Sequence, residues 1–400
     1  MNATETIQSK AEGKAKERAA STQWEPYLKA SLGFRNHWYP ALFSSDLSEG
    51  EIKPLTLLGE DILLKRVNGQ VHAVQDRCLH RGFQLSKKPE CYTNNTITCW
   101  LHGFTYSFRT GELVTIPSAP DSPLIGKLSL RTYPVEERKG MIFLFVGDME
   151  TPTPLSDDVQ PGLLDEELCI APAVRVLVKC NWRIAADTGF DPAHVFIHKE
   201  DGFLKAIKLP FPFASIIDRK SGHESVTRAE GPGPKGIIDK LRDELPIFEV
   251  EIECDGEKGK VTSMFPPVEE AYEGFQQIVG SMWLPCGLKV DPWPVPGMTH
   301  FEWYVPVDED THIYTIAWGK RVQSSQEADD FRNEVKTKWK HLGYDQFNAT
   351  DVIANEACQK FYGEENSWRH EHLCEFDVYT IAWRKLASQY NRGIQKRGQQ

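Results

Sequence analysis

The chain has 400 residues, of which 40% are hydrophobic and 26% are charged, and its formal net charge is −11. This length supports two or three domains with a sizeable core, which excludes a small protein held together mainly by disulfides or metals. The acidic balance argues against a nucleic acid or an anionic membrane bound through a general basic field. The longest apolar run, Met141 to Val146, is far shorter than the roughly 20 residues of a membrane-spanning helix.

Residues 1–35 are expected to form an N-terminal tail or helix. The beginning of this segment carries alternating charges without an apolar stretch, so we predict no secretory signal and a cytoplasmic location. Residues 36–150 are predicted to form a mostly β domain. Its clearest signal is Asn68-Gly69, which lies between two strand-like runs and accepts positive φ at both central positions of a type I′ hairpin turn.

An acidic stretch rich in proline marks the next boundary. Residues 151–167 contain Pro152, Pro154 and Pro161, and proline together with charge resists a packed element. We therefore predict an inter-domain linker there and a second domain over residues 168–400.

The second domain is expected to combine a sheet with helices. A strand-like run ends at Val178, and a helix is predicted to begin at Asn181. Segments 248–254, 274–288 and 301–317 are rich in β-branched and aromatic residues, which predicts an antiparallel sheet. Segments 324–362 and 375–390 have apolar residues at helical spacing, so helices should cover that sheet. The fold class is α+β, and residues 200–245 are expected to be irregular.

Two short motifs in the first domain each combine one thiol with one imidazole: Cys78-Leu-His80 and Cys99-Trp-Leu-His102. Two cysteines and two histidines could hold a tetrahedral zinc ion, but zinc fingers and ribbons usually pair like with like. In a Rieske [2Fe-2S] centre, one iron takes two cysteines and the other takes two histidines, so two mixed loops can hold both irons. Glycines that follow both motifs, at 82 and 103, favour the Rieske interpretation because they let the backbone approach the cluster.

A pair of histidines in the second domain could hold another metal. Asp191 and Pro192 are typical of the start of a helix, and His194 and His198 follow at i, i+4 spacing, which allows two imidazoles to converge on one ion. Val195 stands where a zinc protease of the His-Glu-x-x-His type has its glutamate, which excludes that class. The alternative is a pair of helix histidines without a ligand.

Two histidines and a carboxylate make the facial triad of a non-haem Fe(II) oxygenase, which leaves open positions for O₂ and substrate. Asp351 is the better candidate for the carboxylate, because a segment of small and apolar residues would carry it toward the core. Glu356 is the second candidate. On local sequence alone, Asp351 could equally be an ordinary acidic residue at a helix N-terminus.

Taken together, these motifs resemble the α subunits of Rieske non-haem iron oxygenases from Asn36 to the C-terminal helix. Three further sequence segments are similar to the group of that family that acts on carbazole; they begin at Gly33, Phe301 and Ala382. The spacing of three residues between the helix histidines is also similar to that group. The resemblance implies an all-β Rieske domain followed by a catalytic domain, and it places the iron carboxylate at Asp351.

The resemblance also implies an assembly and a reaction. Members form head-to-tail homotrimers, in which Asp191 would accept hydrogen bonds from His102 of the partner subunit and from His194 of its own chain. The implied reaction is angular dioxygenation of carbazole-like fused aromatics, with O₂ and electrons that pass from NADH through a reductase and a ferredoxin. By resemblance, the substrate slot is lined by Gly189, Val195, Leu288, Val290, Trp293 and Phe347, with the Gly189 carbonyl as acceptor for the substrate N–H.

The segment around the cysteine-histidine motifs is an exception to the acidic balance. From Asp76 to Arg109 there are five basic and two acidic residues, a net charge of +3, which suits an acidic ferredoxin. Other functions remain open at this point. A Rieske monooxygenase or demethylase would use the same metals, whereas a non-catalytic electron carrier or a zinc-stabilised binding module would not need His194 and His198.

Overall fold

The computed structural model describes residues 24–201, 249–254, 257–262, 279–374 and 377–398. A short helix, α1 (Glu25–Lys29), precedes the first group of strands. These strands are β1 (His37–Phe43), β2 (Ile52–Leu57), β3 (Glu60–Val67), β4 (Gln70–Gln75), β5 (Thr96–Thr98), β6 (Thr105–Ser107), β7 (Leu113–Thr115), β8 (Thr132–Tyr133), β9 (Val135–Arg138) and β10 (Met141–Val146).

The first group forms three antiparallel sheets, with strand orders β1-β10-β9, β2-β3-β4-β8 and β5-β6-β7. The predicted hairpin joins β3 to β4, with Val67 paired to Gln70 across a two-residue turn. Asn68 and Gly69 have φ values of 52° and 78°, as a type I′ turn requires. The hairpin prediction is confirmed.

The segment predicted as a linker is packed more tightly than its sequence suggested. Leu155 and Leu163 are buried, and the carboxylate of Asp158 is buried with them. Asp158 accepts hydrogen bonds from His37 Nδ1 at 2.7 Å and from two nitrogens of Arg392 at 2.9 Å. Burial alone would raise the pKa of Asp158, but these two partners hold it below its ordinary value. The charged side chain of Asp158 thus connects this segment to His37 and Arg392.

The second group of strands comprises β11 (Leu168–Val178), β12 (Glu249–Cys254), β13 (Glu257–Thr262), β14 (Val279–Trp283), β15 (Gly287–Asp291), β16 (Met298–Pro306) and β17 (His312–Arg321). Five of them form an antiparallel sheet in the order β11-β17-β16-β15-β14. The segment ending at Cys254, expected in that sheet, pairs instead with β13 in a separate hairpin. The irregular structure expected for residues 200–245 falls almost entirely outside the described residues.

Helices cover this sheet, and the predicted α+β class is confirmed. The α-helices are α2 (Trp182–Phe190), α3 (Ser325–Glu334), α4 (Ala349–Tyr362) and α5 (Val378–Tyr390). A 3₁₀ helix (Pro192–Glu200) follows α2, and a π-helix (Val335–Asn348) connects α3 to α4. The side chain of Asn181 caps α2 by accepting a hydrogen bond from Arg183 N, as the sequence suggested.

The buried apolar residues form two clusters. The larger cluster extends from β1 and β10 through the five-stranded sheet to α5, so the two halves of the chain share one core. The smaller cluster lies beneath the cysteine-histidine loops and includes Cys78 and Cys99. Among the described helices, none combines the length and hydropathy of a membrane span.

Candidate metal centres

The two cysteine-histidine loops have the same pattern of backbone hydrogen bonds. In the first, Cys78 N donates to Phe83 O and Gly82 N donates back to Cys78 O; in the second, Cys99 N donates to Phe104 O and Gly103 N donates to Cys99 O. Gly82 and Gly103 both have positive φ, at 73° and 74°. These glycines are therefore needed for left-handed turns, a more specific reason than the close backbone approach inferred from the sequence.

The loops separate the sulfur ligands from the nitrogen ligands by depth. Cys78 and Cys99 are each 2% exposed, whereas His80 and His102 lie at the surface. The two histidines face each other, with their Nδ1 atoms 3.2 Å apart. Two thiols on the buried side and two imidazoles on the exposed side fit the donor set of a Rieske cluster, in which the two irons have unlike ligands.

Aromatic residues support both sides of this site. The phenol oxygen of Tyr106 lies 3.3 Å from Cys78 Sγ and accepts a hydrogen bond from Leu79 N. The ring of Phe104 stacks on His80 with centroids 4.6 Å apart. The first ligand loop is thus held by two aromatic side chains that follow the second ligand motif in the chain.

The second candidate centre joins three side chains from two elements. Asp351, in the first turn of α4, places Oδ1 at 3.2 Å from His198 Nε2 and 3.6 Å from His194 Nε2. One ligand atom from each residue lies within 4.8 Å of the others. Within the described part of the chain, His198 Nε2 and Asp351 Oδ1 are buried without a hydrogen-bond partner, as expected for atoms that hold a metal ion.

The ring nitrogens that face away from this centre are also occupied. His198 Nδ1 lies 2.6 Å from the carboxylate of Asp201, which also accepts a hydrogen bond from Thr350. His194 Nδ1 donates to the backbone carbonyl of Asp191. Such bonds fix a metal-binding histidine with its other nitrogen free for the ion. The contact from His194 differs from the one expected, because it reaches the carbonyl of Asp191 rather than its carboxylate.

The charges at this centre shift one another's proton affinity. Burial alone would raise the pKa of Asp351, but the facing His198 and His194 hold it below its ordinary value. Conversely, burial alone would lower the pKa of His198, and its contacts with Asp351 and Asp201 raise it. The pocket therefore favours an ionised carboxylate beside the imidazoles.

The segment that carries the two histidines is a 3₁₀ helix, where the sequence predicted an ordinary helix. The cap is as expected, because the Asp191 side chain accepts a hydrogen bond from Ala193 N at 2.8 Å. The run from 195 to 197 is β-branched and aromatic, which disfavours a regular α-helix. The imidazoles still converge, with ring centroids 5.6 Å apart. Burial raises the pKa of the Asp191 carboxyl, opposed by the N–H of Ala193.

The second candidate carboxylate is engaged elsewhere. Glu356 accepts a hydrogen bond from Lys179 N at 2.8 Å, so it joins α4 to the end of β11. Asp351 is the carboxylate that the structure brings to the two histidines.

Several of the residues expected to line a substrate slot lie beside this centre. Phe347 stacks on His198 with ring centroids 3.9 Å apart, and Trp293 packs on Phe347 at 5.0 Å. Leu288 lies next to Gly189: a Cβ added at Gly189 would lie 3.5 Å from Leu288 Cδ2. Leu288 and Val290 alternate on one face of β15. The side chain of Val195 is outside what the structure describes.

Sequence reasoning missed a set of polar side chains near the slot. His300, Glu302 and Tyr304 alternate along β16 and are buried, and Asn348 at the end of the π-helix bonds to Asp351. Asp201, the partner of His198, was also missed. The sequence did contain one signal: His300, Glu302 and Tyr304 are polar residues at every second position of an otherwise apolar strand, so their side chains share one face.

The surface around the cysteine-histidine loops is both apolar and basic. Trp100 is 50% exposed and Leu101 is 47% exposed. Asp76 is buried and accepts hydrogen bonds from Ser86, so one of the two acidic residues in this segment does not face solvent. The basic side chains are exposed: Arg77, Arg81, Lys87, Lys88 and Arg109.

Comparison with known families agrees with this arrangement. A family model described as "Rieske [2Fe-2S] domain" matches residues 37–134, and one described as "Homotrimeric ring hydroxylase" matches residues 145–395. The chain therefore belongs to the Rieske aromatic-ring hydroxylases, oxygenases that combine a [2Fe-2S] cluster with a mononuclear non-haem iron. The predicted class of enzyme and its two cofactors are confirmed, while the role of each site residue stays a prediction.

Individual relatives show which members of this family the chain resembles. The chain is 48% identical over 380 residues to the terminal oxygenase component of carbazole 1,9a-dioxygenase from Sphingomonas sp., which covers 93% of this chain and 96% of that protein. It resembles the solved terminal oxygenase of carbazole 1,9a-dioxygenase from Novosphingobium sp. KA1 with a TM-score of 0.83, 42% identity, and coverage of 96% of this chain and 100% of that one. A reduced complex between oxygenase and ferredoxin in carbazole 1,9a-dioxygenase matches with a TM-score of 0.82 and 39% identity, covering 96% of both chains.

Proposed function

We propose that this chain is the terminal oxygenase of a multicomponent dioxygenase that attacks carbazole-like fused aromatics in the angular position. The observation that carries the proposal is the convergence of His194, His198 and Asp351 beside an apolar slot, in a chain that also presents a cysteine-histidine loop pair. The similarity to carbazole 1,9a-dioxygenase components over 93% of the chain supports the choice of substrate class.

The two centres have distinct ligands in this proposal. Cys78, Cys99, His80 and His102 hold the [2Fe-2S] cluster, and the facial triad holds the mononuclear iron. When bound, the cluster supplies single electrons and the iron supplies a site for O₂. The chain's own side chains hold both donor sets in place and shield much of the triad from solvent: His198 is buried, and the side chains of His194 and Asp351 are 18% and 13% exposed.

The slot is proposed to orient a flat aromatic substrate over the iron. Phe347 and Trp293 offer an aromatic wall, and Leu288 and Val290 offer an aliphatic one. Gly189 lies in the last turn of α2, where backbone carbonyls have no partner within the helix. Its carbonyl oxygen is therefore suited to accept a hydrogen bond from the substrate N–H.

A head-to-tail homotrimer is proposed because each chain carries two unlike exposed apolar surfaces. One surrounds the exposed cluster histidines and includes Leu79, Trp100 and Leu101; the other lies near the iron site and includes Phe196 and Ile353. A heterologous contact between unlike surfaces closes into a ring when the rotation fits. In that arrangement, Asp191 would connect His102 of the partner subunit to the iron site.

An acidic ferredoxin is the proposed electron donor, supplied through a reductase from NADH. The exposed basic side chains beside the cluster loops offer the complementary charge, which mainly accelerates association. We also propose a cytoplasmic location, because the eight cysteines whose side chains the structure describes form no disulfide, as in a reducing compartment.

Product analysis tests this function directly. The purified chain is reconstituted with a reductase and a ferredoxin and given carbazole or dibenzofuran under oxygen-18. We expect ring-opened hydroxylated biphenyls that carry two labelled oxygen atoms, because the C–N or C–O bond at the attacked carbon breaks as the ring becomes aromatic again. Products with a single labelled atom, or loss of an alkyl group from a demethylase substrate, would replace the dioxygenase with a Rieske monooxygenase.

A further inference from the structure

A buried polar group beneath the iron site has no part in the function proposed so far. His300, Glu302 and Tyr304 alternate along β16, so their side chains lie on the same face of the sheet. Strand register places Glu302 opposite Leu288 on β15, and thus on the face that lines the slot. This face packs closely on α2, because an added Cβ at Gly189 would lie 1.9 Å from Tyr304 Oη.

The carboxylate of Glu302 is surrounded by hydrogen-bond donors. Glu302 is 5% exposed, and its Oε2 accepts a hydrogen bond from Tyr304 Oη at 2.7 Å. Its Oε1 accepts from His300 Nε2 and from Asn348 Nδ2, the latter at 3.4 Å. Three donors make a buried carboxylate tolerable in an otherwise apolar pocket.

Asn348 connects this carboxylate to the iron ligand. Its Nδ2 lies 3.4 Å from Glu302 Oε1 and 3.2 Å from Asp351 Oδ2. Ionised carboxylate oxygens only accept hydrogen bonds, so the amide group between them must be the NH₂, with one hydrogen for each carboxylate. Asn348 ends the π-helix and Asp351 lies three residues later in α4, so both side chains lie on the same side.

The hydrogen bond from Asn348 gives the two carboxylate oxygens of Asp351 different surroundings. Oδ2 is occupied by Asn348, while Oδ1 faces His198 and His194. The bond to Asn348 therefore fixes the orientation of the Asp351 carboxylate, with Oδ1 on the side of the two histidines.

We propose that Glu302, acting through Asn348, is a positioning residue that holds the Asp351 carboxylate in the orientation in which Oδ1 faces His198 and His194. The inference rests on the proposed iron site. It adds that Glu302 works as a hydrogen-bond acceptor for the Asn348 amide, and this bond connects β16 to the end of the π-helix. Partners of metal ligands typically change metal affinity about 10- to 100-fold when removed.

Four variants of the holoenzyme test the proposal. Glu302→Leu and Asn348→Leu remove the two members of the connection. Glu302→Gln keeps an acceptor oxygen for Asn348 and is the conservative rescue. Asn355→Leu replaces a buried amide two turns further along, in α4, and is the matched control for the loss of a buried amide in this part of the chain. The mononuclear site is measured by the rate at which Fe(II) passes to an external chelator and by the electron paramagnetic resonance spectrum of its nitric oxide adduct.

We expect Glu302→Leu and Asn348→Leu to lose Fe(II) at least about 10-fold faster than the parent and to change the symmetry of the nitrosyl spectrum. Glu302→Gln and Asn355→Leu should keep the parental spectrum and hold iron to within roughly threefold. The Rieske cluster spectrum should be the same in all four. If Glu302→Leu does not fold, Asn348→Leu and Glu302→Gln decide the matter.

Two results would overturn the inference: parental iron retention and nitrosyl spectrum in Asn348→Leu, or a Glu302→Gln variant as impaired as Asn348→Leu. The failure of the proposed iron site itself would look different. In that case the parent chain would hold no mononuclear Fe(II), and no variant could be compared with it.

Discussion

Asp351 is the side chain on which the candidate iron site depends most. It contributes the oxygen that faces both His194 and His198. Replacing it by alanine should remove roughly one iron per chain while acid-labile sulfide stays at its parental level, because the cluster ligands lie in other loops. Iron and sulfide assays on the purified variant check this.

The matched control for that experiment is Glu356→Ala in the same helix. Glu356 binds the backbone of Lys179 rather than the histidines, so its removal should leave the iron content unchanged. The opposite pattern, with iron retained in Asp351→Ala and lost in Glu356→Ala, would reassign the carboxylate ligand.

Asp191 combines a structural role with a proposed electronic one. Its carboxylate caps the 3₁₀ helix, and asparagine can replace it as a cap. Asp191→Asn should therefore fold and fill both metal sites, but should slow oxidation of the reduced cluster in the presence of substrate and O₂ by roughly 10- to 100-fold. Stopped-flow absorbance of the cluster measures this rate. A parental rate would show that Asp191 has no part in the electron path.

Residue spacing predicted some ligands and could not predict others. The four cluster ligands and the two histidines belong to local motifs, so short sequence patterns revealed them. Asp201 lies only three residues after His198, but no known motif marks it as a partner. Glu302 and Asn348 contact each other across 46 positions of the chain. That contact depends on the position of the π-helix relative to β16, which no local pattern encodes.

At the scale of elements, Gly189 controls how closely α2 approaches β16. Alanine there would place a Cβ 1.9 Å from Tyr304 Oη. We expect Gly189→Ala to cost roughly 1–3 kcal/mol, because overpacking forces one element to shift. In the double variant with Tyr304→Phe the clash is reduced, so the two costs should not add. Urea unfolding midpoints of the single and double variants check this, and additive costs would contradict it.

A buried histidine links β17 to the end of β11. His312 Nδ1 donates to Cys180 O at 2.8 Å, and burial lowers the pKa of His312 to about 4. The unfolded chain binds a proton here near pH 6.5 and the folded chain does not, so stability is lost as pH falls from about 6.5 toward 4, by up to about 3 kcal/mol.

Glutamine in place of His312 should remove this pH-dependent loss, although the variant starts from a lower stability at pH 7. Urea unfolding at pH 7 and pH 5 measures the slope. The control is His341→Gln, whose side chain is 63% exposed and should leave the slope unchanged. Equal slopes in the parent and in His312→Gln would show that His312 is protonated in the folded state.

At the scale of the whole molecule, the sequence predicted two domains joined by a linker. In the structure, the predicted linker is packed, and its Asp158 side chain pairs with Arg392 near the C-terminus. The carboxylate of Asp158 is fully buried and is paired with Arg392. The proline and acidic residues of segment 151–167 predict that it does not pack as a regular element. Their tertiary partners, His37 and Arg392, lie more than a hundred residues away along the chain and left no local signal.

Arg392→Ala should therefore destabilise the protein by about 3–5 kcal/mol, because it leaves a buried carboxylate without its arginine partner. Arg321→Ala is the matched control, since Arg321 and its partner Glu167 are 64% and 79% exposed and their pair should contribute less than about 1 kcal/mol. Thermal unfolding of both variants compares them. Similar losses in the two would contradict the role given to Asp158.

The central claim is that one chain holds iron in two unlike settings, a paired cluster and a single ion. The Mössbauer spectrum of the protein reconstituted anaerobically with enriched iron tests it most directly. We predict three iron signals of about equal area: two ferric signals that differ because one iron has sulfur ligands and the other has nitrogen ligands, and one high-spin ferrous signal. Absence of the ferrous signal, or a chain that retains zinc and no cluster iron, would contradict the claim.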